Sequence, residues 1–121
     1  MTIPIIESLN KVLKKLGNIG VIGTAIVNRN GLLITSRLPR EITERKFGAM
    51  AATMFGALEA ATINLSKVHN LTVELNDYQI IVIGVDDKNI IVSVFDLNMN
   101  LGLVLIEMEE SIKKIKEILS G

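Results

Sequence analysis

The sequence predicts a three-layer α/β sandwich, and three observations lead there. Apolar residues recur with helical period at the start, middle and end of the chain and with strand patterning between, in the order α-β-β-α-β-β-β-α. The strands are separated by short turn sequences, which implies hairpins and a mostly antiparallel five-stranded sheet. Two of the strands are nearly continuous apolar runs, so the sheet needs cover on both faces. A long central helix is expected over one face, with the first and last helices over the other.

Residues 3–16 predict the first helix: Ile5, Leu9, Val12 and Leu16 share one face, widened by Ile6 and Leu13. Pro4 suits the first turn, where its missing N–H costs nothing. Lys11, Lys14 and Lys15 stand near the end where the helix dipole favours cations, and Gly17 is the expected C-cap. Residues 20–28 (GVIGTAIVN) and 32–37 (LLITSR) predict two strands joined by Asn28-Arg29-Asn30-Gly31, since Asn and Gly accept positive φ at low cost. Pro39 then breaks the sheet. The central helix follows within residues 40–68 and runs out near His69-Asn70. Residues 71–76 (LTVELN) alternate as a strand with one wet side, whereas 78–85 (YQIIVIGV) and 89–95 (NIIVSVF) are apolar throughout and rich in β-branched residues. Asn98 or Asn100 can cap the last helix, where Leu101, Leu105, Met108, Ile112, Ile115 and Leu119 form the apolar stripe. Glu109 with Lys113 and Glu110 with Lys114 form i, i+4 pairs in the favourable order.

At 121 residues, the chain (1–121) reads as a single domain that buries roughly two thirds of its unfolded surface. It has no cysteine, which rules out disulfides and thiolate metal sites. With 13 basic and 13 acidic side chains the formal charge is zero, against a nucleic-acid partner. The aromatic residues are only Phe47, Phe55, Phe95 and Tyr78, too few for a base-stacking platform. The apolar span 47–63 is short for a bilayer and holds Glu59, so membrane insertion is not expected. The N-terminus places its basic residues after its apolar ones, the reverse of a secretory signal. A cytoplasmic protein is the expectation.

The central segment (REITERKFGAMAATMFGALEAATINLSKV) has two different sides. As a helix of about 27 residues it would run about 40 Å, across a domain whose radius of gyration should be about 14 Å. Steps of 100° gather Phe47, Met50, Ala51, Met54, Phe55, Leu58, Ala61 and Leu65 on a bulky stripe suited to a sheet. The other side collects Ala49, Ala52, Gly56, Ala60 and Ile63, where a lone surface helix should be polar. Gly48 and Gly56 add about 0.5–1 kcal/mol each against the helix relative to Ala, which close packing would recover. The small stripe is therefore expected to pair with another helix, as a homodimer interface. The alternatives are packing beneath a loop or helix of the same chain, or inert exposure.

Several stretches resemble the roadblock family of dynein light chains, which also includes bacterial polarity regulators and lysosomal scaffold subunits. They are Gly20-Val21-Ile22-Gly23-Thr24-Ala25-Ile26-Val27, Asn30-Gly31-Leu32-Leu33-Ile34-Thr35-Ser36, Ala49-Met50-Ala51-Ala52-Thr53-Met54 and Asn100-Leu101-Gly102-Leu103-Val104-Leu105. The resemblance covers nearly the whole chain and implies a roadblock/profilin-like fold. It further implies a homodimer or heterodimer with long helices paired and third-strand edges joined, which places Thr72 and Glu74 at the seam. Such proteins commonly bind or regulate Ras-like small GTPases, or serve as adaptors, and the resemblance carries no catalytic residue set.

The residues themselves announce no catalytic site. Gly17, Gly20 and Gly23 give a GxxGxxG pattern, but they precede and enter a strand instead of opening a helix, so turn and packing roles are expected. His69 has no cysteine or serine nucleophile motif to serve. Asp86 and Asp87 read as a turn, and Glu59 as solvated or paired with a basic residue at an interface. The expectation is a non-catalytic dimeric adaptor or regulator of a small Ras-like GTPase, with no cofactor or metal. A small-ligand sensor or assembly adaptor is the alternative; a buried pocket with convergent polar groups would favour it.

Overall fold

The computed structural model describes residues 2–121. Its elements are α1 (Ile3–Asn18), β1 (Gly23–Asn28), β2 (Leu33–Arg37), α2 (Glu44–Ala61), β3 (Asn70–Glu74), β4 (Tyr78–Gly84), β5 (Asn89–Asp96) and α3 (Leu101–Ser120). The strands form one sheet in the order β2-β1-β5-β4-β3, and every neighbouring pair is antiparallel. The expected order and the three-layer arrangement are both present.

Strand pleating sends alternate side chains to opposite faces, and this chain fills both. Ile26, Ile81, Ile83, Ile91 and Phe95 face α1 and α3, meeting Leu9, Leu13, Leu16, Val104, Met108 and Ile115. Ala25, Val27, Ile80, Val82, Ile90, Val92 and Val94 face α2, meeting Phe47, Ala51 and Phe55. Within the α1/α3 layer, the buried hydroxyls of Thr24 and Ser93 satisfy each other at 3.1 Å.

Local chemistry sets the element ends. α1 continues past Gly17 to Asn18, and Gly20 turns the chain with φ of 108°. Gly20 and Val21 donate their N–H groups to the Gly17 and Leu16 carbonyls, so Gly20, not Gly17, closes this helix. In the β1–β2 turn, Asn28 Oδ1 accepts from the N–H groups of Asn30 and Leu32, and Gly31 takes φ of 89°. The only positive-φ residues among those described are glycines, so Asn28 and Asn30 serve by hydrogen bonding and not by a left-handed backbone. Asn100 caps α3, its side chain accepting from the Leu103 N–H at 3.1 Å.

The central helix is shorter than its apolar pattern suggests. α2 has 18 residues, about 27 Å at the α-helical rise. At its start the Ile42 N–H bonds the Pro39 carbonyl, making a turn before the N-cap Thr43. At its end the Thr62 hydroxyl bonds the Leu58 carbonyl at 2.7 Å, and Thr62-Ile63-Asn64 is a run of weak helix formers. Ile63 and Leu65 therefore lie beyond the helix and belong to neither of its faces. They are 76% and 84% exposed.

Candidate functional site

α2 does not cover its face evenly. It packs over β1, β2 and β5, toward one side of the sheet. Gly48 makes this approach close: a Cβ there would stand 3.4 Å from Val27 and 3.7 Å from the Gly31 carbonyl oxygen. The β1–β2 hairpin then rises against the helix, with the Cβ position of Gly31 only 3.3 Å from Ala49 Cα. Arg29, from the same hairpin, donates to Glu59 on α2 and to the Asp86 carbonyl, and its guanidinium lies 5.5 Å from the centre of the Phe55 ring. Glu59 is thus neither merely solvated nor waiting at an interface; it ties α2 to the hairpin.

The small-residue stripe is divided by this packing. Ala52 is buried beneath the hairpin, and Ala49 is exposed beside it. A Cβ at Gly56 would meet nothing within 4 Å, and Ala60 is exposed. Of the two glycines expected to permit close packing, Gly48 does so within the chain and Gly56 faces open space.

The opposite flank of α2 looks along the sheet toward β3. Here Met50, Met54 and Leu58 are half-buried, while Ala57 and Ala61 are exposed. At 100° per residue these five fall within an arc of about 100°. Met50 shares an open apolar groove of about 560 Å³ with Phe47, Leu75, Tyr78 and Ile80, and Glu41 is the one charged residue lining it.

β3 ends the sheet, so one side of its backbone has no strand partner. Leu71 and Val73 are half-buried on the α2 side, whereas Thr72 and Glu74 are exposed on the other. Thr72 and Glu74 thus stand on an open edge of the sheet. Gly56 and Ala60 lie about 80–120° round α2 from Met50; a Cβ at Gly56 would face open space, and Ala60 lines a cavity with Ile63 and Val68. By helical spacing Met54, Ala57 and Ala61 share the side of Met50, which packs on the cluster that includes Leu71 and Val73. Their signal in the sequence is faint: Ala57 falls on neither stripe, and Ala61 reads as core.

Other candidates resolve into local structure. Asp86 Oδ1 accepts from the N–H groups of Lys88 and Asn89 at 2.8 and 2.7 Å, closing the β4–β5 turn. His69 Nε2 lies 2.9 Å from Glu109 Oε1 at the surface, linking the start of β3 to α3. Gly23 fits beneath Leu38, whose Cδ2 would be 2.8 Å from an added Cβ. Among the described residues there is no group of three His, Asp or Glu placed to hold a metal, and no buried side-chain polar atom lacks a partner. The chemistry this arrangement offers is association: backbone hydrogen bonds at a strand edge beside a strip of apolar side chains.

Comparison with known proteins gives a consistent result. The Roadblock/LC7 domain family matches residues 9–95. Uncharacterized protein MJ1340 of Methanocaldococcus jannaschii is 33% identical over 99 residues, covering 80% of this chain and 86% of its own. Among solved structures, Myxococcus xanthus MglB is similar with a TM-score of 0.90 at 20% identity, over 99% of this chain and 93% of that one. A Roadblock/LC7 domain from Streptomyces avermitilis superposes with a TM-score of 0.85 at 14% identity, over 92% and 97% of the two chains. The structural likenesses establish the fold, and the match across residues 9–95 establishes the lineage: the chain belongs to the Roadblock/LC7 domain family.

Proposed function

We propose that this protein is a non-catalytic homodimeric adaptor or regulator whose assembled surface engages a small Ras-like GTPase. The observation that carries the dimer is the coincidence of the unpaired β3 edge with the uncovered α2 flank. Two copies related by a two-fold axis would pair β3 with β3 and set α2 beside α2, so that each protomer completes the other's open face. This moves the helix-pairing surface from the Ala49, Ala52, Gly56, Ala60 stripe to Met50, Met54, Ala57 and Ala61. Thr72 and Glu74 remain at the seam.

The GTPase partner is supported by membership of the Roadblock/LC7 family, whose members commonly bind or regulate such proteins, and not by any residue of this chain. The groove beside Met50 does not favour a ligand sensor, since its lining lacks convergent polar groups. Pull-down and nucleotide-hydrolysis assays with the small GTPases of the same organism test the partner. Binding to at least one of them in one nucleotide state is expected. Failure with every one in both states would overturn the GTPase reading and leave the dimer to be judged separately.

A further inference from the structure

An open apolar groove and the two most exposed large apolar side chains sit at opposite ends of the same face. The groove lies at the end where α2 begins and β3 finishes, between Phe47 and Met50 on the helix and Leu75 and Tyr78 at the β3–β4 turn. Ile63 and Leu65, 76% and 84% exposed, lie at the other end, where α2 finishes and the chain turns into β3. Within one protomer they cannot meet. The five residues of β3 separate these ends by about 16 Å at the strand rise.

We infer that the post-helix segment of one protomer, through Ile63 and Leu65, fills the Phe47–Met50–Leu75–Tyr78 groove of its partner. The inference rests on the two-fold pairing of β3 proposed above, and adds to it a reciprocal plug. Antiparallel pairing of β3 with its copy brings the start of one strand to the end of the other. Residues 62–69 of the partner, which lead into Asn70, then descend beside Glu74 and Leu75. A two-fold axis perpendicular to the sheet keeps both α2 helices on the same face, so the plug arrives on the side where the groove opens. Two exposed large apolar residues and one uncovered apolar groove are removed from water at each end of the dimer, the pattern expected of a surface that is buried in the working assembly.

The chain contains no cysteine, one tyrosine and no tryptophan, so both parts of the contact can be read without background. In a Leu65→Cys/Leu75→Cys variant, mild oxidation should join two chains, giving a dimer that survives denaturation and separates on reduction. The two positions of one chain lie too far apart for an internal disulfide, which needs Cα atoms within about 7 Å. A Thr72→Cys variant reports the strand seam alone. If Thr72→Cys links the chains and the Leu65→Cys/Leu75→Cys pair does not, the plug is wrong while the dimer stands. If neither links and the protein has the mass of one chain, the pairing and the plug fall together. As an independent readout, Tyr78 should be shielded from iodide quenching in the dimer and lose that shielding in Leu65→Asp. Equal quenching in the two proteins would overturn the plug even if cross-links form.

Discussion

The two faces of the sheet are built from similar residues but finished to different degrees. On the α1/α3 face, two helices of 16 and 20 residues close over the strands, and Leu9, Ile81, Ile91, Phe95, Met108 and Ile115 are 0–1% exposed. On the other face a single helix of 18 residues stands toward β1 and β2. It leaves Leu71, Val73, Met50 and Met54 half-covered and a groove at its N-terminal end. The closed face accounts for folding within one chain. The open face is where apolar surface and unpaired backbone remain together, so it is the face on which function is to be sought.

Substitutions can break or sharpen that contrast. The largest effect belongs to the closed face: Phe95→Ala, at a site with no exposure, should lower unfolding free energy by about 3–5 kcal/mol in urea titration. A loss below about 1 kcal/mol would mean that this face is not the tightly packed one. Next comes the side of α2 already used within the chain. Ala52→Arg forces a long charged side chain beneath the hairpin and should destabilise the protomer by at least about 1–3 kcal/mol. Gly56→Arg, about one turn further along α2 and facing open space, should leave both fold and association intact. If Gly56→Arg separates the dimer while Ala57→Arg does not, the pairing surface is the outer stripe and not the β3-facing flank.

Smaller effects refine the open face. Glu59→Gln removes the ion pair with Arg29, whose partners are about a third exposed, and should cost no more than about 1 kcal/mol. Gly56→Ala should raise stability by about 0.5–1 kcal/mol, because helical glycine is disfavoured and a Cβ has room. A decrease instead would show that something packs closely against Gly56 in the assembled protein.

Much of this architecture was legible in the sequence because short-range chemistry specifies it. Helical spacing located the three helices, while alternation, apolar runs and turn residues located the five strands, and the all-apolar β4 and β5 required a layer on each side. The ends of α2 were less legible: Ile63 and Leu65 keep the apolar spacing, yet Thr62 turns its hydroxyl back on the helix. The two-sidedness of α2 was visible, but the use of each side was not. Spacing along a helix cannot reveal that a hairpin 20 residues upstream returns to cover Gly48 and Ala52, or that a salt bridge links Arg29 to Glu59. The edge position of β3 follows from strand order, which no local pattern encodes. Thr72 and Glu74 could be placed at a seam only through resemblance to other proteins.

The open α2 flank and β3 edge are expected to be covered by a second copy of the chain. Light scattering on the native protein at micromolar concentration tests this most directly, with Ala57→Arg measured alongside. The native protein should have twice the chain mass of 13.2 kDa, and Ala57→Arg should have that single mass with unchanged helical circular dichroism. A native protein of 13.2 kDa under those conditions would contradict the account.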